Sequence, residues 1–521
     1  MSIRKKGTRM SGKHFAGLLL GRMPVTLFII ATEIFWMIAF GLWLNNYAAW
    51  INTFFTVLSL VIVAYLILKD ENQSYKLTWI VVISFLPFFG GMMYLMFGNK
   101  RPSRKMRKRL ESVEALHRDL MLEQEPGLMA GLDGRIAGTS AYLTRRGPFP
   151  AYRNTDVEYF EVGERLFERL LPDLESAKSY VFMEYFILAE GSVWAEICEI
   201  LCRKAEEGVD VRIIYDDMGS VSVLPRGLQA KMTRAGIRTV AFNPFLPLVS
   251  LVMNHRDHRK ITVIDGRVAY TGGINIADEY ANRYQRFGHW KDTGLRMEGA
   301  AVRSFAVMFL NMWNAHRKTD TDYTPFLPPE TAEEGSADRS RGIVQPYCDS
   351  PLDEENLAEN VYLDILAQAK RYVYIFTPYL IIDGEMQSAL TLAAKRGVDV
   401  RIVTPGVPDK KTVFRLTRSY YVPLLRAGVR IYEYTPGFLH AKSYVCDDSV
   451  AVVGTVNMDY RSLFLHFECG ALLIDSPVIE DIKQDALRTI EQSREIFQKD
   501  TKKYSRSSLL DLILRILSPM L

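Results

Sequence analysis

Gly208-Val-Asp-Val-Arg-Ile213 recurs without change at Gly397-Val-Asp-Val-Arg-Ile402. The echo extends outward. Ala235-Gly-Ile-Arg238 returns as Ala427-Gly-Val-Arg430, and Ala177-Lys178 with Tyr180-Val-Phe182 returns as Ala369-Lys370 with Tyr372-Val-Tyr374. The offsets of 189, 192 and 192 residues are nearly in register. Self-similarity at the period of one domain implies two homologous lobes, not a solenoid. Each copy reads as a helix (162–176; 357–369), an apolar strand (Tyr180–Ile187; Tyr372–Ile381), a second helix ending at Gly (193–206; 385–396) and another strand (Val209–Tyr215; Val398–Thr404). Such alternation predicts an α/β fold, with mixed sheets flanked by helices. The lobes are expected at 150–327 and 343–521, joined by the Pro-, Glu-, Ser- and Gly-rich linker 328–342.

The region before the lobes has a different character. The 521 residues carry a net charge of +4, but residues 1–110 hold 15 Lys/Arg against 3 Asp/Glu, leaving −8 for the rest. Three apolar runs lie there: Met23–Leu44 with Glu33 as its one charge, and Trp50–Leu68 and Leu77–Phe97 with none. Each approaches the ~20 residues that a helix needs to cross the hydrocarbon core. A membrane anchor over 1–110 with two or three transmembrane helices is therefore expected, followed by a polar linker at 111–149. Basic residues flank both ends, at 4–22 and at 100–109. Both flanks favour the cytoplasm, which three full spans cannot satisfy. The last two runs are the expected hairpin, and the side taken by the first run stays open. The five scattered cysteines (Cys198, Cys202, Cys348, Cys446, Cys469) form no metal or disulfide pattern and read as reduced thiols.

One chemical motif occurs once per lobe. His258-Arg-Lys260-Ile-Thr-Val-Ile-Asp265 is matched by His440-Ala-Lys442-Ser-Tyr-Val-Cys-Asp447. On a strand, residues two apart share a face, so each His and Lys aim at one target. Downstream lie Gly272-Gly-Ile-Asn275 and Gly454-Thr-Val-Asn457, where small residues admit a ligand and Asn offers an amide donor. A phosphodiester is anionic and a poor electrophile. Two Lys, two Asn and a protonated His suit its oxygens, a neutral His can attack phosphorus, and a second His can serve the leaving group. No metal and no cofactor is expected.

The motif and duplication resemble the phospholipase D superfamily over roughly 150–521. More narrowly, the chain is similar to bacterial cardiolipin synthases in Leu77–Gly98, Asn254-His-Arg-Asp-His-Arg-Lys260, Trp290-Lys-Asp-Thr293, Gly406-Val-Pro-Asp-Lys410, Gly437-Phe-Leu-His-Ala-Lys442 and Leu517-Ser-Pro519. The extra run at 23–44 departs from the usual two-segment anchor. The resemblance implies two phospholipase D-like lobes meeting at one site, with His258, Lys260, Asp265, His440, Lys442 and Asp447 as the catalytic set. Within it, Asp265 and Asp447 read as supports for the loop and the lysines. His258 is the implied nucleophile and His440 the acid/base, a symmetry that the residues alone do not break. The family places a His-orienting acid some thirty residues after each His. Asp292 and Glu468, 34 and 28 residues on, fit that position.

The implied reaction moves a phosphatidyl group from one phosphatidylglycerol to another and releases glycerol, through a phosphohistidine. The implied partners are phosphatidylglycerol, other anionic phospholipids and the cell membrane, with the catalytic body on the cytoplasmic face. The alternative is a membrane-bound phospholipase D, or a phosphatidyltransferase using another alcohol. A nuclease is disfavoured, because nucleic-acid binding needs a basic face and the body is acidic. The amphipathic tail 508–521 reads either as an interfacial helix or as one packed on the second lobe. Tyr420, Tyr421 and Phe438 read either as core or as the lipid path.

Overall fold

A computed structural model describes residues 31–32, 35–36, 48–69, 71–98, 104–121, 127–225, 227–244, 255–328, 342–353, 355–501 and 509–520. The chain divides into two compact units, an N-terminal one within the first hundred residues and a much larger one formed by most of the rest.

In the N-terminal unit, the second apolar run forms the helix Ala48–Leu68. The third run is not one helix but two, Gln73–Phe85 and Pro87–Phe97. Pro87 supplies no N–H and has a fixed φ, so it begins a helix more readily than it continues one. Gly90 allows the close return, since a Cβ there would meet Ile83 Cα at 2.7 Å. Trp79 and Tyr94 pack edge to face, with ring centroids 5.3 Å apart. Counted over the described residues, no helix is long and apolar enough to cross a membrane. Apart from residues 31–32 and 35–36, the run at 23–44 lies outside the described residues.

In the larger unit, the first lobe contributes β1 (Thr155–Phe160), β2 (Tyr180–Tyr185), β3 (Asp210–Asp216), β4 (Arg238–Phe242), β5 (Lys260–Ile264), β6 (Val268–Gly272), β7 (His289–Lys291) and β8 (Gly294–Gly299). Seven of these form a sheet in the order β1-β8-β6-β5-β2-β3-β4. The second lobe contributes β9 (Ile343–Asp349), β10 (Tyr372–Phe376), β11 (Leu380–Ile381), β12 (Asp399–Pro405), β13 (Arg430–Tyr434), β14 (Gly437–Leu439), β15 (Ser443–Cys446), β16 (Val450–Gly454), β17 (Met458–Asp459), β18 (Glu468–Ile474) and β19 (Ser493–Ile496). Its main sheet has the order β19-β13-β12-β10-β15-β16-β18-β9. Without the edge strand β19, the two sheets repeat one plan. Three strands run parallel (β2, β3, β4; β10, β12, β13) and antiparallel strands continue from β2 or β10. The helices Gly163–Glu175, Ser192–Glu206, Leu357–Gln368 and Gly384–Lys395 fall close to their predicted positions.

The apolar core runs from Phe182, Ile261 and Met297 of the first sheet through the helix Val302–Arg317 to Val373, Val452 and Leu472 of the second. The lobes therefore share one interior. Two backbone seams join them as well. β7 pairs in parallel with β14, setting Trp290 against Phe438, and Asp257 bridges to Phe467. The tail forms the helix Leu509–Ile516. It rests on the second lobe through a Tyr420 Oη–Ser518 Oγ bond of 3.2 Å and the Arg515 guanidinium over the Tyr420 ring, yet Leu512 and Ile513 remain exposed.

Candidate active site

The two motif histidines are positioned by the seams between the lobes. The His258 N–H donates to Phe467 O at 2.9 Å, and the His440 N–H donates to Lys291 O at 2.7 Å. Phe467 and Lys291 immediately precede the two acids, so each seam lays one lobe's His beside the other lobe's carboxylate. His258 Nδ1 lies 2.9 Å from both oxygens of Glu468. His440 Nδ1 lies 2.6 Å from Asp292 Oδ2. This corrects the sequence expectation, in which each acid served the His upstream of it: the pairs are crossed. Both acids are fully buried, and both histidines are more than nine-tenths buried.

Burial disfavours the imidazolium, and the neighbouring ammonium groups add to the effect. His258 is held well below the usual histidine range by burial, Lys260 and Lys442. His440 is pushed down to about 4 by burial and Lys442, against the pull of Asp292. Burial also lowers Lys260 to about 8 and Lys442 to about 7. It pushes the Asp292 carboxyl up, but Lys442 and His440 outweigh it and hold the group below its ordinary value. Burial and the ammonium groups thus favour the neutral imidazole at both positions, and the carboxylate beside each Nδ1 favours the tautomer protonated there, although Lys442 Nζ also lies 2.8 Å from His440 Nδ1. That leaves each Nε2 with a lone pair, as a nucleophile or a base requires. Lys260 Nζ donates to the His258 carbonyl at 2.5 Å, and Lys442 Nζ donates to the His440 carbonyl. Each ammonium is fixed beside its histidine and keeps further N–H groups for an anion.

The other expected residues divide. Asp265 and Asp447 follow β5 and β15, at the far end of the strand from each His, about 20 Å away at the rise of a strand. Both adopt left-handed φ values of 52° and 53°. The Asp265 carboxylate accepts the N–H groups of Lys178, Ser179 and Tyr180 at 2.7–2.8 Å. Asp447 accepts those of Lys370, Arg371 and Tyr372 at 2.6–2.9 Å. Their place in the catalytic set is therefore corrected: they tie the start of β2 and β10 to the turn after β5 and β15. The two Asn also differ. Asn275 is committed, its Nδ2 donating to Tyr280 Oη at 2.7 Å and its Oδ1 accepting from Ile187 N at 3.0 Å. The Oδ1 of Asn457 is buried without a hydrogen-bond partner.

Several neighbours were not legible in the motif. Thr455 Oγ1 donates to Glu468 Oε2, fixing the carboxylate from behind. Tyr280 and Trp290 each place a ring centroid 5.5 Å from that of His440, and Phe438 lies at 5.8 Å. Phe438 thus walls the site, whereas Tyr420 and Tyr421 are core. His258 has Phe186 at 5.0 Å and His466 at 5.6 Å. Buried Arg259 sits beneath the His258 loop, 2.5 Å from Glu184 Oε1 and 3.1 Å from Asp257 Oδ1. The only signal for this group was the charge density of Asn254–Lys260.

The duplicated α/β lobes, meeting at one buried pair of His-Lys motifs, define a phosphatidyltransferase of the phospholipase D type. The fold is similar to a phosphatidylserine synthase of Haemophilus influenzae (TM-score 0.52, 14% identity, 70% of this chain and 95% of that one). Residues 170–291 and 362–490 match the family model described as cardiolipin synthase, PLD-like domain, and residues 57–99 match the phospholipase D-nuclease N-terminal model. A cardiolipin synthase of Halalkalibacterium halodurans is 34% identical over 96% of this chain and 99% of its own length. Cardiolipin synthase 2 of Bacillus anthracis is 35% identical over 90% and 91%. An uncharacterized protein of Streptococcus mutans is 44% identical over 88% and 99%. The chain belongs to the bacterial cardiolipin synthase family of the phospholipase D superfamily.

Proposed function

We propose that the protein makes cardiolipin by transferring a phosphatidyl group from one phosphatidylglycerol to another, releasing glycerol. The observation that carries this reading is the pair of buried histidines, each held through Nδ1 by a carboxylate and flanked by a lysine. His258 Nε2 attacks phosphorus and the bond to the glycerol oxygen breaks. That alkoxide takes a proton from His440, leaving a phosphatidyl group on His258. The anionic phosphodiester offsets the ammonium groups that keep His440 neutral, so bound substrate raises its affinity for this proton. Lys260, Lys442 and Asn457 face the phosphoryl oxygens, where charge develops. A hydroxyl of the second phosphatidylglycerol then yields its proton to His440 and displaces His258 from phosphorus.

Transfer outcompetes hydrolysis when the acceptor is concentrated and water is scarce. A membrane location provides both, and the N-terminal region supports one. Its helix Ala48–Leu68 turns Trp50, Phe54 and Leu68 outward, an apolar face suited to lipid contact. We assign residues 1–110 to a multi-pass anchor with the basic cluster at 100–109 on the cytoplasmic side. Residues 111–149 form the linker, and 150–327 and 343–521 the two catalytic lobes. The partners are phosphatidylglycerol and other anionic phospholipids, not nucleic acid.

The test is a product profile from purified protein in vesicles of phosphatidylglycerol, alone and with phosphatidylethanolamine. Cardiolipin and free glycerol in equal amounts are expected. Phosphatidic acid as the main product would show a phospholipase D, and a product built on another alcohol would show a different transferase. Either outcome overturns the proposal.

A further inference from the structure

The active site contains a third histidine that the transfer scheme does not use. His466 is nine-tenths buried, and neither of its ring nitrogens has a hydrogen-bond partner. Buried polar atoms are nearly always paired, because an unpaired one forfeits its hydration without replacement. An imidazole with both nitrogens unpaired therefore points to an absent ligand. Its Nδ1 is 3.7 Å from Glu468 Oε1, too far for a hydrogen bond. Glu468 is in turn 2.9 Å from His258 Nδ1. One ligand atom from each of His258, His466 and Glu468 lies within 4.8 Å of the others.

The arrangement has no counterpart in the other half of the site. Two residues before Asp292, the position of His466 is taken by Trp290, which packs on His440 and cannot ligate. Two imidazoles and a carboxylate are a recurrent zinc set, with bonds of about 2.0–2.2 Å that place tetrahedral ligand atoms about 3.3 Å apart. The 2.9 and 3.7 Å separations bracket that spacing.

We infer that His258, His466 and Glu468 form an inhibitory binding site for a borderline divalent cation of the Zn2+ or Co2+ type. Such an ion takes the carboxylate from His258 and ties up the imidazole itself, so transfer and metal binding exclude each other. Lys260 and Lys442 oppose a second cation, so the site is weaker than a dedicated zinc enzyme's and occupancy is reversible. This is a role in control that shares His258 and Glu468 with the reaction, and it stands or falls independently of the transferase reading because the primary readout is the metal itself.

The experiment titrates untagged, full-length protein in detergent with Co2+, alongside His466→Gln and Cys198→Ser. The wild type should bind one Co2+ with the visible bands of a four-coordinate ion. His466→Gln should weaken binding by about ten- to a hundredfold, and Cys198→Ser should leave it unchanged. Zn2+ should also raise the melting temperature of the wild type and not of His466→Gln, and should inhibit turnover until a chelator is added. Absence of the bands, bands retained in His466→Gln, or bands lost in Cys198→Ser would each overturn the site.

Discussion

The two halves of the site are built from one plan and finished in different materials. Around His440 the wall is aromatic: Tyr280, Trp290 and Phe438. Around His258 a single aromatic ring, Phe186, is joined by polar and charged groups, with His466 at its side and Arg259, Glu184 and Asp257 beneath. The shared elements are those the chemistry requires twice: a buried His, a carboxylate on Nδ1 and a lysine two residues on. The differing elements are those that can specialise. Duplication preserved the machinery and left its surroundings free to diverge.

The largest expected effect tests what is shared. His258→Ala and His440→Ala should each lower turnover by about 10^3-fold or more while circular dichroism stays native. Substantial activity in either one would break the two-histidine scheme. The crossed pairing comes next. Glu468→Gln and Asp292→Asn should each cost about a hundredfold to ten-thousandfold. Coupling should follow the geometry, with Glu468→Gln adding little on top of His258→Ala and Asp292→Asn little on top of His440→Ala. Coupling within each lobe would refute the crossing.

The differing surroundings predict smaller, separable effects. Arg259→Met leaves Glu184 and Asp257 buried without their cation and should cost about 3–5 kcal/mol of stability, read by denaturant unfolding. Trp290→Phe should cost much less and act mainly on turnover. For pH, kcat/KM reports the free enzyme. His258 attacks as the neutral imidazole and is held well below the usual histidine range, so the acid limb should lie well below pH 6. Lys442 and Lys260 lose their protons near 7 and 8, so activity should fall as pH rises through that window. A basic limb left in place by Lys442→Arg, with activity retained, would remove Lys442 from this account. The smallest contrast is between the two Asn: Asn457→Ala should raise KM, whereas Asn275→Ala should act through stability and Tyr280.

The sequence revealed what is periodic and local. The repeat carried the sheet plan, because a strand and its flanking helices are encoded within some thirty residues. It also carried the His-Lys faces, which need only the period of a strand. It did not reveal the crossing, because proximity of Glu468 to His258 is created by a seam between segments 210 residues apart. Nor did it distinguish Asn275 from Asn457, since that depends on whether Tyr280 reaches the amide. The helix boundary before Pro87 was hidden by an apolar run that hydropathy alone reads as continuous. His466 was invisible for the same reason as the crossing: nothing near it in the chain marks it, and its significance comes from the other lobe.

The crossed carboxylates have a consequence for ancestry. Each lobe lends its acid and borrows its neighbour's, which is the bookkeeping of an isologous dimer, where every contact is made twice under a two-fold operation. A single ancestral lobe associating with a copy of itself would have met the same geometry without a linker. Once fused, the halves lost the freedom to be exchanged, because neither His has its carboxylate within its own half. The divergence around His258 and His440 is then something only the fused chain permits, since in a symmetric pair any change on one side is made on both.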